Sequence, residues 1–503
     1  MPPSLTERRS DPPGLAAARV RDAWRRRFTL DVRSLAAFRV GLGLVLIADA
    51  ALRTRDFHLM FAADGIFPPR LIRGYLDGDP SHWSLALLRD DSWWAAGILA
   101  LEAAAGVCLA VGWRTTAVTV VAWVAQVSVY RRTMPAANAG DLLLSCLLFW
   151  SCFLPLAAVW SVDGRRRSGD TRSGRPPAVC GIATTALVLQ VMAVYLGAGL
   201  AKWNPTWFGG TALRYALSVH DHGTWLGTWL TAADWLVPPL TWGVLAAELL
   251  APLVFLAWPA ARPVIVPAFM LFHVLIWLTM SVGLFAPIGL VAWLPLLPGS
   301  LWGPRGTTPP AIDCPAPAAR WACAGGITLM VVSFAHDCSR WRDRPLPGPV
   351  RQAIHACSLT QQWGMFGTVP PCEQWAYTRA ELADGRVVDI LRGGRPVQTD
   401  RPAGGFTSLP HHRWHKLFWI LPQAKARIFA SSVAAALARD WNARHDGADQ
   451  VVAVELWFAR RNLAQSDPTV GDMLVGSWPE RSAEGGGNLD RFLHAAPAAE
   501  AGP

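Results

Sequence analysis

The sequence predicts an α-helical polytopic membrane protein with about nine transmembrane helices and a small C-terminal α+β domain. Hydrophobic residues make up 52% of the 503 positions, and charged residues only 16%. Apolar runs of about 20 residues, enough to cross ~30 Å of hydrocarbon, recur along the first two thirds of the chain. The 27 tryptophans fit the same class, because indole rings collect at membrane interfaces.

The net charge of +10 does not indicate a nucleic-acid-binding protein. The arginines fall mainly in the N-terminal tail, one internal loop and the C-terminal region, and no base-reading motif accompanies them. The lipid bilayer is therefore the predicted partner, in the inner (plasma) membrane of the cell.

Residues 1–34 contain many arginines among prolines, which predicts a cytoplasmic basic tail under the positive-inside rule. A cleaved signal peptide is the alternative, because Ala48-Asp49-Ala50 resembles a cleavage site. Arg39 interrupts the apolar region and argues against it. The first span is then Leu35–Leu52, and we expect its charges, Arg39 and Asp49, to face protein or water rather than lipid.

The remaining spans follow in order through a predicted membrane domain of residues 35–336. An α-hairpin precedes a fourth span that begins at the Asn138 cap and carries Asp141 in its first turn. Five arginines in the loop 164–175 place that loop in the cytoplasm after four spans. The predicted spans after the first are 93–113, 115–130, 138–163, 178–201, 236–258, 264–282, 284–297 and 321–335.

Residues 337–478 are predicted to form an external α+β domain, provided that the ninth span crosses. The Asp384-Gly385 turn between two alternating runs predicts a β-hairpin, with a helix at 424–444 and a strand at 451–461. The segment Trp363–Pro371 is apolar without strand alternation, so we expect it to pack on the membrane part. Residues 479–503 are predicted to be disordered.

Cysteines and histidines give weaker indications. Cys338, Cys357 and Cys372 lie in the predicted external region and allow a disulfide of open pairing. His411, His412 and His415 allow a metal site, but a basic surface loop is the favoured interpretation because neither a carboxylate nor a thiol completes the set.

The stretch from Tyr195 to Gly210 is the most informative about function. Lys202 directly follows 24 uncharged positions, 178–201. Its amine either reaches out to the membrane interface or faces a protein cavity, where desolvation would favour a neutral amine that can act as a base. Pro205 ends the helix, Gly209-Gly210 permits close packing, and Trp207 is expected at headgroup depth. His273, in the middle of a later span, is either a packing residue or part of a polar cavity.

Several segments then form a familiar series. They are FRVGLGLVLIADAALR with DFHLMFAADGIFP, NAGDLLLSCLLFW with WSVD, YLGAGLAKWNPTWFGG, FHVLIWLTMSVGLF and LTQQWGMFGTVPP. In this order the chain resembles the HTTM family, the membrane region shared with vitamin K-dependent gamma-carboxylase, from Leu35 to Arg461.

The resemblance implies that Lys202 matches a lysine that acts as base on reduced vitamin K. The carboxylase also carries an asparagine-histidine pair near the start of the fourth span. This chain has Asn138 but Ala139 follows it, so the histidine is missing. The external region is also much smaller than the substrate-binding portion of the carboxylase.

Two functional classes follow. The first is a membrane enzyme acting on a quinone or another lipid-soluble substrate, with reduced vitamin K or another quinone as the implied cofactor. Its predicted catalytic residues are Lys202, His273 and Asp141, and its predicted substrate-binding residues are Tyr195, Gly199, Trp207 and Asn138. The second is a non-enzymatic carrier or maturation factor whose intramembrane charges are structural pairs. Convergence of Lys202, His273 and Asp141 on one cavity would favour the enzyme.

Overall fold

The computed structural model describes residues 13–168, 178–303, 311–312, 316–339, 342–403, 409–464 and 470–480. A bundle of helices forms the larger part, and a five-stranded sheet with helices forms the C-terminal part. The predicted disordered tail from residue 481 onwards lies outside the described residues, as does Cys314.

The bundle and its connections contain sixteen helices within the described residues. They are α1 (Pro13–Phe28), α2 (Val32–Arg53), α3 (Phe57–Phe61), α4 (Pro69–Tyr75), α5 (Ser92–Val111), α6 (Thr115–Arg132), α7 (Ala139–Ser151), α8 (Val162–Ser168), α9 (Ile182–Ala201), α10 (Pro205–Phe208), α11 (Ala212–Arg214), α12 (Trp225–Ala232), α13 (Val237–Ala257), α14 (Arg262–Thr279), α15 (Phe285–Trp293) and α16 (Pro317–Asp337).

Six helical segments in the described residues are long and apolar enough to cross a membrane: α2, α5, α9, α13, α14 with the turn before it, and α16. The nine predicted spans are not confirmed, because three of them differ from long apolar helices. Helices α7 and α15 have only 13 and 9 residues. Helix α6 has 18 residues, but it includes three threonines, a glutamine and two terminal arginines.

Part of the predicted basic tail is a helix that packs on the bundle. In α1, Trp24 Nε1 donates to Thr185 Oγ1 at 3.1 Å, and Arg27 Nε donates to the Leu256 carbonyl at 2.7 Å. A small sheet follows, formed by β1 (Leu30–Asp31), β2 (Ala178–Cys180) and β3 (Ala311–Ile312). The tail therefore docks at the end of the bundle where α9 begins and α13 ends.

The charges of α2 face protein, as predicted. Arg39 is fully buried, and its guanidinium donates to the carbonyls of Leu109 at 2.8 Å and Trp160 at 2.7 Å. It lies against Gly112, which ends α5 with φ +73°, and a Cβ there would come within 2.0 Å of the Arg39 Nη1 atom. A glycine is therefore required at the tight turn that joins α5 to α6.

The C-terminal part contains α17 (Gly348–Ala356), α18 (His412–Ile420) and α19 (Ala430–Asn442), with β4 (Cys372–Leu382), β5 (Val387–Asp389), β6 (Arg395–Pro396), β7 (Val451–Asn462) and β8 (Val470–Trp478). The antiparallel sheet has the order β6-β5-β4-β7-β8. The predicted hairpin is confirmed, with Gly385 at φ +86° in its turn. The predicted helix begins six residues late, because turns and a 3-10 segment occupy 421–429.

The C-terminal part shares its core with the bundle. Phe429, just before α19, packs edge-to-face on Phe67 of the loop between α3 and α4, with ring centroids 5.5 Å apart. A single cluster of buried side chains extends from the segment around α3 and α4 into the sheet. Removal of either part would thus expose apolar surface on the other.

Residues 358–371, which we call the docking segment, run between the two parts. Trp363 is 2% exposed, and backbone carbonyls of the segment accept hydrogen bonds from the bundle. Asn204 Nδ2 donates to Gly367 at 2.7 Å, and His220 Nε2 donates to Pro370 at 2.8 Å. The prediction that Trp363–Pro371 packs on the membrane part is confirmed. The eight described cysteines are free thiols, so the structure does not contain the predicted disulfide among Cys338, Cys357 and Cys372.

Candidate functional site

Lys202 is buried at the end of α9 and does not reach the membrane interface. Its side chain is 3% exposed, and Nζ lies 2.7 Å from Glu248 Oε2. The same nitrogen donates to the carbonyls of Met365 at 2.9 Å and Ala198 at 3.3 Å. The interpretation of Lys202 as an interface anchor is therefore wrong, because a carboxylate and the docking segment supply partners inside the protein.

Trp207 is buried beside this amine rather than lying at headgroup depth. It is 1% exposed, Lys202 Nζ lies 5.1 Å from the centre of its ring, and its Nε1 donates to the Phe366 carbonyl at 2.9 Å. The expectation of an interfacial tryptophan was wrong because α10, which contains Trp207, packs against the docking segment. Trp207 instead covers one side of Lys202 with an aromatic face, which attracts a cation.

Gly199 brings α9 and α13 together. A Cβ at this position would come within 2.9 Å of the Leu249 side chain and 3.1 Å of the Leu249 backbone nitrogen. The close approach places the neighbouring Glu248 next to Lys202. Gly199 therefore has a role in helix packing, and this packing sets the position of the Lys202–Glu248 ion pair.

His273 and Tyr195 form a second polar group. His273 Nε2 lies 2.6 Å from the Tyr195 hydroxyl, which also accepts a hydrogen bond from Trp293 Nε1 at 2.6 Å. Nδ1 of His273 is buried without a hydrogen bond. His273 lines an apolar groove of about 660 Å³ between α2, α14 and α15.

Asp141 belongs to a third group, a buried network of four charges. Arg53 donates to Asp49 and to Asp141, both at 2.7 Å. Arg413 of α18 donates to Asp49 at 2.9 Å and to Asp141 at 3.0 Å. Two arginines and two aspartates thus neutralise one another and join the C-terminal part to the bundle.

The structure does not bring Lys202, His273 and Asp141 into one group. The three side chains have different bonding partners, and no partner is shared. Lys202 and Asn138 nevertheless lie next to the same cavity. Asn138 lines it, and so does Met365, whose backbone carbonyl accepts a hydrogen bond from Lys202.

The cavity lies between the bundle and the C-terminal part and has a volume of about 590 Å³. Its lining combines nitrogen-bearing side chains with aromatic rings. The nitrogen-bearing residues are Asn138, His220, His222, Gln362, His412, His415 and Lys416, and the aromatic ones are Tyr75, Tyr130, Phe285, Phe366 and Trp419. Met365, whose carbonyl accepts from Lys202, also lines it.

The histidines around the cavity are neutral at neutral pH. Burial lowers the pKa of His220 to about 4, and burial together with neighbouring positive charges lowers those of His412 and His415 to about 3. The interpretation of residues 411–415 as a solvated surface loop was wrong, because Arg413 draws α18 onto the bundle. A neutral imidazole has one donor and one acceptor nitrogen, so these residues are candidates for hydrogen bonding to a bound molecule.

Lys416 is one of the cavity residues that the sequence analysis missed, as are His220 and His222. Its side chain is exposed to the cavity while protein atoms surround it, and this burial lowers the pKa of its amine. A sequence signal existed in the run His411–Lys416, where all six side chains carry nitrogen donors. Lys416 lines the cavity from the C-terminal part, and His222 lines it from the bundle.

Asn138 is fixed at the start of α7. Its side-chain oxygen accepts from the backbone nitrogens of Gly140 at 2.7 Å and Asp141 at 3.3 Å, while Asp141 accepts from the Asn138 backbone nitrogen at 2.9 Å. This capping box uses the oxygen of the amide, so the amide nitrogen is the end that remains to donate into the cavity.

The long apolar helices indicate a multi-pass membrane protein, and the cavity between the bundle and the C-terminal part is a candidate binding site. A family model described as the HTTM domain matches residues 28–302, more than half of the chain. The chain belongs to the HTTM family. Comparisons with curated proteins and with solved structures found no significant match. The matched residues end before α16 and the C-terminal part, so two walls of the cavity, the docking segment and α18, lie outside the family match.

Proposed function

We propose that the protein is a membrane enzyme that carries out acid-base chemistry on a lipid-soluble small molecule bound in the cavity between the bundle and the C-terminal part. The cavity itself is the observation that supports this proposal. Its volume of about 590 Å³ is in the range of small-molecule sites, and aromatic walls with a few convergent polar groups are typical of such sites.

The residues around the cavity fit a quinone ring, the group implied by the resemblance to the carboxylase. Phe285, Phe366 and Trp419 offer apolar faces to a flat ring, and Asn138 and Lys416 offer donors to its oxygen atoms. A reduced quinone bound there would supply reducing electrons and an ionisable hydroxyl group. Neutral His222 would accept a hydrogen bond from a polar group of the bound molecule.

Lys202 enters the proposal as a base that acts from behind the cavity wall. At 2.7 Å, its proton can move to Glu248, and transfer leaves a neutral amine and a neutral acid in a region of low dielectric constant. Met365 and Phe366 separate this pair from the cavity, so a shift of the docking segment is needed for direct contact. His273 and Asp141 are bonded to other side chains of the protein. We propose that they stabilise the structure around the cavity and do not react with the bound molecule.

The retained small molecule tests the proposal. The full-length protein, purified in mild detergent, is expected to carry a lipid-soluble molecule that mass spectrometry detects at near one per chain. Lys416→Met and His222→Ala should lower its content at least about tenfold, because each removes a buried polar contact. Lys425→Met is the matched control, since Lys425 lies 60% exposed on the same part and pairs with Asp77 at the surface.

Equal content of the molecule in wild type and in both cavity variants would contradict binding in the cavity. Absence of any retained molecule would instead favour the second candidate, a non-enzymatic carrier or maturation factor. One observation supports that alternative: the charges at 49, 53, 141 and 413 and those at 202 and 248 pair with one another, as structural charges do.

We also propose that the N-terminus is cytoplasmic and the C-terminal part external. Arginines gather at one end of the bundle, where Arg262 donates to the Thr29 carbonyl at 3.0 Å and Arg33 to the Trp302 carbonyl at 2.8 Å. Lys202 and α18 lie towards the other end. Reporter fusions at Gly169 and Gly487 should give cytoplasmic and external signals, and matching signals at both sites would overturn this orientation.

A further inference from the structure

A group of three metal-binding side chains lies away from the cavity. Asp79 and His82 belong to the loop between α4 and α5, and His355 belongs to α17. One ligand atom from each residue lies within 4.8 Å of the others. The two imidazole rings have centroids 4.1 Å apart and planes inclined by 37°, and His355 Nδ1 lies 3.9 Å from Asp79 Oδ2.

The two histidine nitrogens that would bind a metal make no hydrogen bond within the limit of about 3.5 Å for a normal one. Nδ1 of His82 and Nδ1 of His355 are both buried without a partner, although buried imidazole nitrogens are normally bonded. Asp79 uses its other oxygen, Oδ1, to accept from Ser81 N at 2.9 Å and from Ser81 Oγ at 2.7 Å. This contact fixes the carboxylate so that Oδ2 faces His355.

The backbone around the three residues is braced. Arg131 donates to the carbonyl of Trp83 at 2.6 Å and also to the carbonyl of His355, so one side chain holds both ligand-bearing segments. Trp83 Nε1 donates to the Ala356 carbonyl at 2.9 Å. Ligands from two segments separated by more than 270 positions are therefore held close to one another.

We propose that Asp79, His82 and His355 bind one divalent transition-metal ion of the Zn²⁺ class. Two imidazoles and one carboxylate favour such an ion over Mg²⁺ or Ca²⁺, which prefer oxygen ligands. Bonds of about 2.0–2.2 Å would draw the three atoms together by roughly an ångström, and three protein ligands leave a fourth position for water. Because α17 directly precedes the docking segment, the ion would clip that segment to the bundle.

Zn²⁺ binding to the full-length protein in detergent tests the inference. After treatment with a chelator, the wild type is expected to bind about one Zn²⁺ per chain and to melt at a higher temperature with Zn²⁺ present. His82→Ala and His355→Gln should each weaken binding by more than about 100-fold, because loss of a direct ligand exceeds the loss of an outer contact. X-ray absorption should show nitrogen and oxygen neighbours and no sulfur.

His336→Ala is the matched control. His336 Nδ1 lies 3.5 Å from Asp337, so it forms a histidine-carboxylate pair without a second imidazole, and its loss should leave Zn²⁺ binding unchanged. Unchanged Zn²⁺ affinity in both His82→Ala and His355→Gln, or equal binding of Mg²⁺, would overturn the assignment. A variant that fails to fold is replaced by Asp79→Asn, which keeps the shape of the side chain and is expected to weaken Zn²⁺ binding.

Discussion

Replacing Arg413 by methionine is expected to destabilise the protein by about 3–5 kcal/mol and to release the C-terminal part from the bundle. Arg413 lies 7% exposed and donates to both Asp49 and Asp141. Without it, Arg53 alone faces two buried carboxylates, and one negative charge loses its compensation. The thermal midpoint and limited proteolysis of α18 measure the two effects.

Arg439→Met is the control for this change. Arg439 also joins the C-terminal part to the bundle, through Asp64, but both side chains are largely exposed, at 43% and 71%. Exposed pairs contribute only about 0–1 kcal/mol, so this variant should melt close to the wild type. Asp141→Asn in the Arg413→Met background should recover part of the lost stability. Equal midpoints for Arg413→Met and Arg439→Met would show that the buried network does not hold the two parts together.

Lys202→Arg is expected to fold and to abolish function, if Lys202 acts as a base. The guanidinium keeps a positive charge beside Glu248 but does not lose its proton at physiological pH, so it cannot supply a neutral nitrogen. Complementation of a deletion strain, or turnover of the molecule found in the cavity, measures the loss. Thermal unfolding in parallel shows whether the larger side chain is accommodated.

A double variant separates catalysis from stability at this site. Lys202→Met alone leaves Glu248 buried without its cation and should destabilise the bundle by about 3–5 kcal/mol. Lys202→Met with Glu248→Met removes both charges, which is often neutral for stability, and should fold without function. Full function in Lys202→Arg or in the double variant would contradict the proposal that Lys202 acts as a base. The Lys202–Glu248 pair would then be a structural contact.

The sequence predicted local features well because neighbouring residues determine them. The limits of α5 and α6 lie within two residues of the predicted spans 93–113 and 115–130, and the β4–β5 hairpin follows from Asp384-Gly385. The burial of Arg39 and Asp49 follows from the high free energy of a charge in lipid. The contact of Trp363–Pro371 with the bundle was predicted because this segment would otherwise leave apolar surface exposed.

The partners of the site residues could not be predicted because they come from distant parts of the chain. Lys202 and Glu248 lie on different helices, and only the packing at Gly199 brings them together. Glu248 is the one charged residue of α13, which was an unused sign that a cation faces it. Residues 411–415 were assigned to a surface loop, because no sequence pattern showed that Arg413 meets Asp141 across 272 positions.

The position of the docking segment in the chain has a consequence for biosynthesis. All six long apolar segments precede residues 358–371 in the chain. The ribosome therefore synthesises the bundle before it synthesises the part of the cavity wall that contains Met365 and Phe366. Until then Lys202 lacks the Met365 carbonyl and Trp207 lacks the Phe366 carbonyl. The cavity lining is therefore complete only after α18 has been synthesised, and the bundle alone does not form it.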